Sequence, residues 1–309
     1  MSRSELFKRH SGNPIILPDA FPYRVNAVFN AGCAKYKNET ILLCRVEDFN
    51  GLSHFTVARS PDGIGGWEIN QEPAMAAAPE RFPEERWGIE DPRITYLYEI
   101  GKWAITYTAF SDLGPLVSLA LTDDFITFER LGCVLPPENK DAALFPVKIN
   151  GKWALLHRPA PRKQGCRPHI WVSFSPDLVH WGSHSLFLKA RTGPYWDSAK
   201  VGLSAPPLLV DKGWLMLYHG VKEYSKGSIY RLGLALLDKE DPAQVISRPT
   251  EWVFGPAKDY ERVGDVGNVT FSCGWLLDEN MIRVYYGAAD STLCCATAKL
   301  ADILDFLER

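Results

Sequence analysis

Residues 88 to 93 read Gly-Ile-Glu-Asp-Pro-Arg, which sets two carboxylates and a guanidinium in a tight knot beside apolar, strand-like runs. Carboxyl groups held next to a cation can move a proton to or from a reacting atom, although the same residues would also suit a solvated strand entrance. Further along, Lys140, Arg158, Lys200 and His219 stand at the ends of apolar runs. Gathered together, these four would repel one another unless an anion lay among them. Arg offers a fork of donors and Lys a point charge, which suits a compact inorganic anion. No glycine-rich nucleotide loop accompanies them, so free phosphate is expected rather than a nucleotide. Asn30, Arg45, Asp48, Asp91 and Asp290 form a second, acceptor-rich set suited to sugar hydroxyls. A carboxyl group beside an anion pocket implies glycosyl transfer to phosphate. Singly, each of these residues has an ordinary structural explanation as a solvated or ion-paired strand end. What favours chemistry is that they recur at equivalent places, and that requires a scaffold bringing distant strand ends together.

The scaffold is legible as a repeat. A bright apolar run ending in polar residues occurs five times, at 41–48, 104–111, 154–160, 215–222 and 283–290. Each is preceded by another strand-like segment across a short polar turn (KNE, EIGK, INGK, DKG, DEN) and followed by a third segment, at 54–63, 116–125, 169–178, 230–239 and 293–302. These are hairpin patterns. A Ser/Thr and Asp-containing turn follows in most repeats, often with Trp67, Phe128 or Trp181. The period is roughly 60 residues, and radial repetition of three- or four-stranded sheets makes a β-propeller with few open edges. The expectation is all-β: one five-bladed propeller domain over 1–309, with a short amphipathic helix at ADILDFLER placing Ile303, Leu304 and Leu307 on one face. That helix could cap the ring or support a homo-oligomer. A two-sheet sandwich would not need such self-similarity.

Composition bounds the rest. The 309 residues are 46% hydrophobic and 23% charged with a net charge of −3, an ordinary globular balance that argues against nucleic acid as a partner. The start of the chain lacks the apolar core of a secretory signal, and no run reaches the length of a membrane span, so a cytoplasmic protein without membrane association is expected. Seven cysteines, several inside strand-like runs (Cys44, Cys133, Cys294, Cys295), show no metal-binding spacing and are expected as reduced, buried thiols, with no structural metal.

The stretches NAGCAKYKNETILLCRVED, GIEDPRITYL, NKDAALFP, ALLHRP, AKVGLSAPPLL, GWLMLYHGV and YYGAAD together resemble glycoside hydrolase family 130, in the family's order and from about residue 28 to 300. The resemblance implies a five-bladed propeller and inverting phosphorolysis of β-linked mannosides, giving α-mannose 1-phosphate and a shortened acceptor. β-1,2-mannobiose or β-1,2-manno-oligosaccharide is the favoured substrate, with β-1,4 as the other linkage. It further implies Asp91 as the general acid. Lys140, Arg158, Lys200 and His219 become phosphate ligands, and Asn30, Arg45, Asp48 and Asp290 mannosyl contacts. No cofactor beyond inorganic phosphate as co-substrate is implied. Lys140 stands where other members often carry Arg, which keeps the charge and loses the fork. The neighbouring Glu90 is expected to help keep Asp91 protonated. Trp87, Tyr195 and Trp196 lie on loops where they could stack on an acceptor sugar. A β-mannosidase of the same family, a five-bladed glycosidase of the arabinan- or fructan-cleaving type, which the Lys/Arg/His group disfavours, and a non-catalytic sugar-binding propeller are the competing readings.

Overall fold

A computed structural model describes residues 5–161 and 165–309. Five antiparallel sheets follow one another along these residues. Blade one is Ala27–Tyr36, Glu39–Glu47, Ser53–Ser60 and Glu68–Ile69, and blade two is Ile89–Leu97, Lys102–Ser111, Gly114–Thr122 and Glu129–Leu135. Blade three is Asn139–Leu144, Trp153–Pro159, Ile170–Ser175 and Gly182–Leu188. In blade four the first strand is broken into Lys200–Leu203 and Leu208–Val210, both paired to Gly213–Tyr224; Gly227–Leu237 and Val245–Ser247 complete it. Blade five is Thr270–Asp278, Met281–Ala288 and Thr292–Lys299.

The middle strands read as unbroken apolar runs because both of their faces are covered. Successive side chains point to opposite faces of a strand. Ile41 and Leu43 accordingly pack with Ile89, Ile105 and Tyr107 of blade two, while Leu42 and Cys44 pack with Tyr285, Leu293 and Cys295 of blade five. The same interleaving joins blade two to three through Leu119 and Leu155, three to four through Leu156 and Met216, and four to five through Leu217 and Val284. Five inter-blade cores close the ring.

The polar turn after the third strand is the other repeated element. Asp62, Asp124, Asp177 and Asp238 each accept two backbone N–H groups through Oδ1 at 2.8–3.0 Å, from the residues two and three positions ahead. A short Asx side chain mimics a turn of backbone in this way. Trp67 and Trp181 then tie back to the turn through their indole N–H groups.

Two features differ from the sequence expectation, and the expected terminal helix is placed more narrowly. The fifth blade takes its fourth strand from the start of the chain, Lys8–Arg9, which pairs with Ala296 and Thr297. A two-residue strand of Lys and Arg has no apolar alternation by which to recognise it. Arg9 anchors it, with Nε and Nη2 donating to the fully buried Glu261 at 2.7 and 2.9 Å. The terminal helix is Leu300–Leu307, and Ile303 and Leu307 are buried in the core shared by blades four and five; its apolar face is used within the chain. Cys133 lies exposed on the outermost strand of blade two, as Cys166 does on a loop, whereas Cys33, Cys44, Cys273, Cys294 and Cys295 are buried. Among the described residues no helix is long and apolar enough to cross a membrane.

Candidate active site

The first strands of the blades line the central channel, and four of them carry an irregularity at the same point. Register shifts fall between Phe29 and Gly32, Glu90 and Arg93, Lys140 and Ala143, and Ser272 and Gly274. In the first three, the residue inside the bulge is Asn30, Asp91 or Asp141, with φ of 49°, 53° and 55°. A bulge bends the strand and re-aims a side chain, and Asn and Asp enter this left-handed region more readily than other side chains. Local backbone chemistry thus places one amide and two carboxylates on the channel. Asp290, at φ 50°, reaches the same end from the turn joining two strands of blade five.

The side chains form two linked groups. Arg45 binds Asp91 Oδ1 through Nη1 at 3.0 Å, Glu90 Oε1 through Nη2 at 3.1 Å and Ser53 Oγ through Nε at 3.0 Å. Asn30 donates to the same Asp91 oxygen at 2.9 Å. Gly287 packs so closely here that a Cβ would lie 2.2 Å from Asn30 Oδ1. Lys140 Nζ sits 3.7 Å from Glu90 Oε2 and connects this group to the second. There the buried Asp141 accepts from Arg158 Nε at 2.5 Å, and His219 Nε2 lies 3.3 Å from the same Oδ2. Gly202 is required at this contact, since a Cβ would come within 2.4 Å of that oxygen. The Tyr230 ring stacks on His219 and carries Lys200 Nζ 4.9 Å from its centroid. Among the described residues, the terminal nitrogens of Arg158 and the Lys200 ammonium have no hydrogen-bond partner, which leaves them for a ligand.

Arg93 lies beneath both groups. It is buried and donates to the backbone oxygens of Asp91, Leu203 and Ser204 at 3.0, 3.1 and 2.7 Å, with Asp141 Oδ1 at 3.4 Å. One guanidinium thereby joins blades two, three and four at the axis.

Charge states follow from these neighbours. Burial pushes the Asp91 carboxyl up, but Arg45, Lys140 and Arg93, with the Asn30 amide, outweigh it and hold the group below the ordinary carboxylate range. Burial likewise opposes ionisation of Asp141, and Arg158, His219 and Arg93 overcome it. Burial lowers Lys200 to about 8, and repulsion from Arg158 and Lys140 adds to that while Asp141 opposes it. Burial lowers His219 to about 4 despite Asp141, leaving a neutral ring that donates through Nε2. Asp290 moves the other way: burial raises it to about 7 against Arg45, with Asp91, Asp265 and Glu90 adding to the rise.

A family model described as beta-1,4-mannooligosaccharide phosphorylase matches residues 4–309. The chain belongs to glycoside hydrolase family 130. A 1,2-beta-oligomannan phosphorylase of Thermoanaerobacter sp. is 37% identical over 308 residues, covering 96% of this chain and 98% of that one. A beta-1,4-mannooligosaccharide phosphorylase of Ruminococcus albus is 34% identical, covering 97% and 90%. The solved beta-1,2-mannobiose phosphorylase of Listeria innocua, in complex with beta-1,2-mannobiose, superposes with a TM-score of 0.88 at 31% identity over 98% of this chain and 99% of that one.

Set in this family, the sequence-predicted residues sort as follows. Asn30, Arg45, Asp91, Lys140, Arg158 and His219 share the contact network, and Lys200 and Asp290 border it through the Tyr230 ring and the charge field of Arg45. Asp48 is the exception: Oδ1 accepts Asn50 N and Leu52 N at 2.8 and 2.9 Å, forming the turn that follows Glu39–Glu47. Glu90 does not keep Asp91 protonated in the free protein, because Arg45 and Lys140 pair with it and their charges dominate. Trp196 is core, stacked on Tyr218 at 5.6 Å, whereas Trp87 and Tyr195 are exposed. Asp141 and Tyr230 were not identified as site residues. The Asn/Asp recurrence in the first strands could have revealed Asp141; Tyr230 is hidden within an apolar strand pattern. Among the described residues no cluster of His, Cys, Asp and Glu has the makings of a metal site.

Proposed function

We propose that this chain, acting as one catalytic unit, phosphorolyses terminal β-mannosides with inversion, the β-1,2 linkage being preferred. The observation that carries this reading is the donor set: Arg158 and His219 on the buried Asp141, Lys200 over the Tyr230 ring that stacks on His219, and Lys140 on Glu90, which Arg45 joins to Asp91. An ordinary inverting hydrolase places a second carboxylate across from the acid to activate water. Here cations face the acid instead, and phosphate arrives already charged.

In the reaction, phosphate binds in the basic nest and one of its oxygens attacks the anomeric carbon while Asn30, Arg45 and Asp290 hold the mannosyl ring. The new bond is carbon to phosphate oxygen; the bond broken is carbon to acceptor oxygen. Asp91 supplies the proton that the departing oxygen takes. The free protein keeps Asp91 ionised, but phosphate adds negative charge beside the same cations and the sugar expels water. Both effects raise a carboxyl group toward the protonated form. The products are α-mannose 1-phosphate and an acceptor shorter by one mannose, and the reading calls for no cofactor besides phosphate. The support for β-1,2 over β-1,4 comes from the wording RWGIEDPR and GLSAPPL and from the β-1,2-acting relatives.

The test is incubation of β-1,2- and β-1,4-mannobiose with and without phosphate. Sugar phosphate should form only when phosphate is present, and faster from the β-1,2 disaccharide. Free mannose released at equal rate without phosphate would establish a hydrolase.

A further inference from the structure

Three turns at the rim of blades one and two are laced side by side next to Asp91. Ser53 bridges to Gly88 in parallel, Trp87 N donates to Phe110 O at 2.8 Å, and Phe110 N returns to Gly88 O at 3.1 Å. These bonds align the turns at 48–52, 82–88 and 111–114. Each presents large apolar side chains to solvent: Phe49 and Leu113 are each 62% exposed, Trp87 43% and Leu52 41%. The Trp87 indole is propped edge-on against Phe110, with centroids 5.4 Å apart. Large apolar side chains exposed together along one rim mark a binding face.

Several polar groups of the same turns are already engaged, while Arg86 and Asp112 stand exposed at their margins. Asp48 caps its own turn, Ser53 Oγ accepts from Arg45 Nε at 3.0 Å, and Ser111 Oγ accepts Leu113 N at 3.3 Å. The ledge therefore offers apolar contact more than hydrogen bonds. Its place is informative too. The basic nest is built by blades three and four, and a single displacement puts the attacking phosphate and the leaving oxygen on opposite sides of the anomeric carbon. The leaving side falls over blades one and two.

We infer that the ledge of Phe49, Leu52, Trp87 and Leu113 is an acceptor platform that favours acceptors carrying an apolar group, so that alkyl and aryl β-mannosides are good acceptors in the synthetic direction. This rests on the phosphorylase reading. The acceptor hydroxyl oxygen bonds to the anomeric carbon of α-mannose 1-phosphate, its proton passes to Asp91, and the carbon–phosphate oxygen bond breaks to release phosphate. The aglycone lies across the Trp87 face, where an aromatic ring supplies large contact area at little entropic cost.

The experiment measures phosphate release from α-mannose 1-phosphate with methyl, octyl and p-nitrophenyl β-mannoside. The apolar acceptors should show a KM about tenfold lower than the methyl glycoside, a difference of about 1.4 kcal/mol. Trp87→Ala combined with Leu113→Ser should bring the three within about twofold. Equal KM values in the wild type, or a preference that survives the double substitution, would overturn the platform. So would a tenfold rise in KM for α-mannose 1-phosphate in the variant, since the ledge would then be a prop for Arg45 and Asp91. If no acceptor releases phosphate, the phosphorylase reading falls, and quenching of the Trp87 fluorescence, taken as wild type minus Trp87→Phe, decides the ledge alone. Saturable quenching by p-nitrophenyl β-mannoside at lower concentration than by the methyl glycoside supports it; no quenching refutes it.

Discussion

Lys200 offers a direct measure of the basic nest. Its ammonium is lowered from 10.5 to about 8, so the charged form is disfavoured by about 2.5 pH units, or about 3.4 kcal/mol at 1.36 kcal/mol per unit. Burial is the largest cause and persists when phosphate is bound. Repulsion from Arg158 and Lys140 is the part an anion cancels. If phosphate reverses roughly half of the shift, its affinity falls about tenfold between pH 8 and pH 10. The sign follows from which state holds the proton. Below about 8 the free and bound proteins both carry charged Lys200, and above it the free protein has lost a proton that binding must restore. The assay is the phosphate KM of phosphorolysis from pH 7 to pH 10, in wild type and in Lys200→Met. The variant should bind phosphate more weakly at pH 7 and lose the alkaline slope. A flat wild-type profile between pH 8 and pH 10, or a slope retained in Lys200→Met, would refute the assignment of Lys200 to the anion.

Three further outcomes are expected. Asp91→Asn should cut turnover by at least about 100-fold, and should be more stable in urea than Asp91→Ala by about 1 kcal/mol or more, because Asn tolerates the left-handed backbone at φ 53° that Ala resists; an Asn variant with wild-type turnover would remove Asp91 from the acid's role. The Asp290 carboxyl should titrate at about 7 by NMR in the free protein and move down in Asp91→Asn, which deletes a like charge; a midpoint near 4 in the wild type would show that burial and its acidic neighbours do not act as described. Arg9→Ala should destabilise the protein by about 3 kcal/mol in urea at pH 7, since it strands the buried Glu261. Burial is there outweighed by Arg9 and two backbone N–H groups, which hold Glu261 below 4.5, so the wild-type advantage is full at neutral pH and fades as pH falls below that value. A loss under 1 kcal/mol, or one that does not shrink in acid, would contradict this account.

The fold was readable because each middle strand is buried on both faces and four of the five third strands end in an Asp-centred turn, two patterns that survive in a single sequence. Elements without such patterns were not readable: Lys8–Arg9, Glu68–Ile69 and Val245–Ser247 are two or three residues long and lie at sheet edges. The site residues were readable as types at equivalent positions. Their partners were not, because the direction of a side chain depends on the bulges at Asn30, Asp91 and Asp141, and a bulge leaves no periodic trace. Hence the four donors of blades three and four looked uncompensated, whereas Asp141 already neutralises part of their charge. Asp48 misled for a related reason: a carboxylate at a strand end serves a turn as readily as a ligand. His157, a polar residue at the end of Trp153–Pro159, likewise has a structural place, held between Asn139 and Ser173.

The seam where the chain's beginning meets its end runs between blade five and blade one, and the proposed sugar contacts straddle it. Val28 N reaches Ser291 O, Gly287 packs on Asn30, and Lys8–Arg9 seals the outer edge. Pairings this distant in sequence form late and slowly. A chain still emerging from synthesis cannot bring Asn30 and Asp290 together, and so cannot hold a mannosyl ring between them, until the clasp is shut. Substrate binding is therefore a readout of ring closure, and ligands that bridge Asn30 and Asp290 should fasten the two ends of the polypeptide to each other.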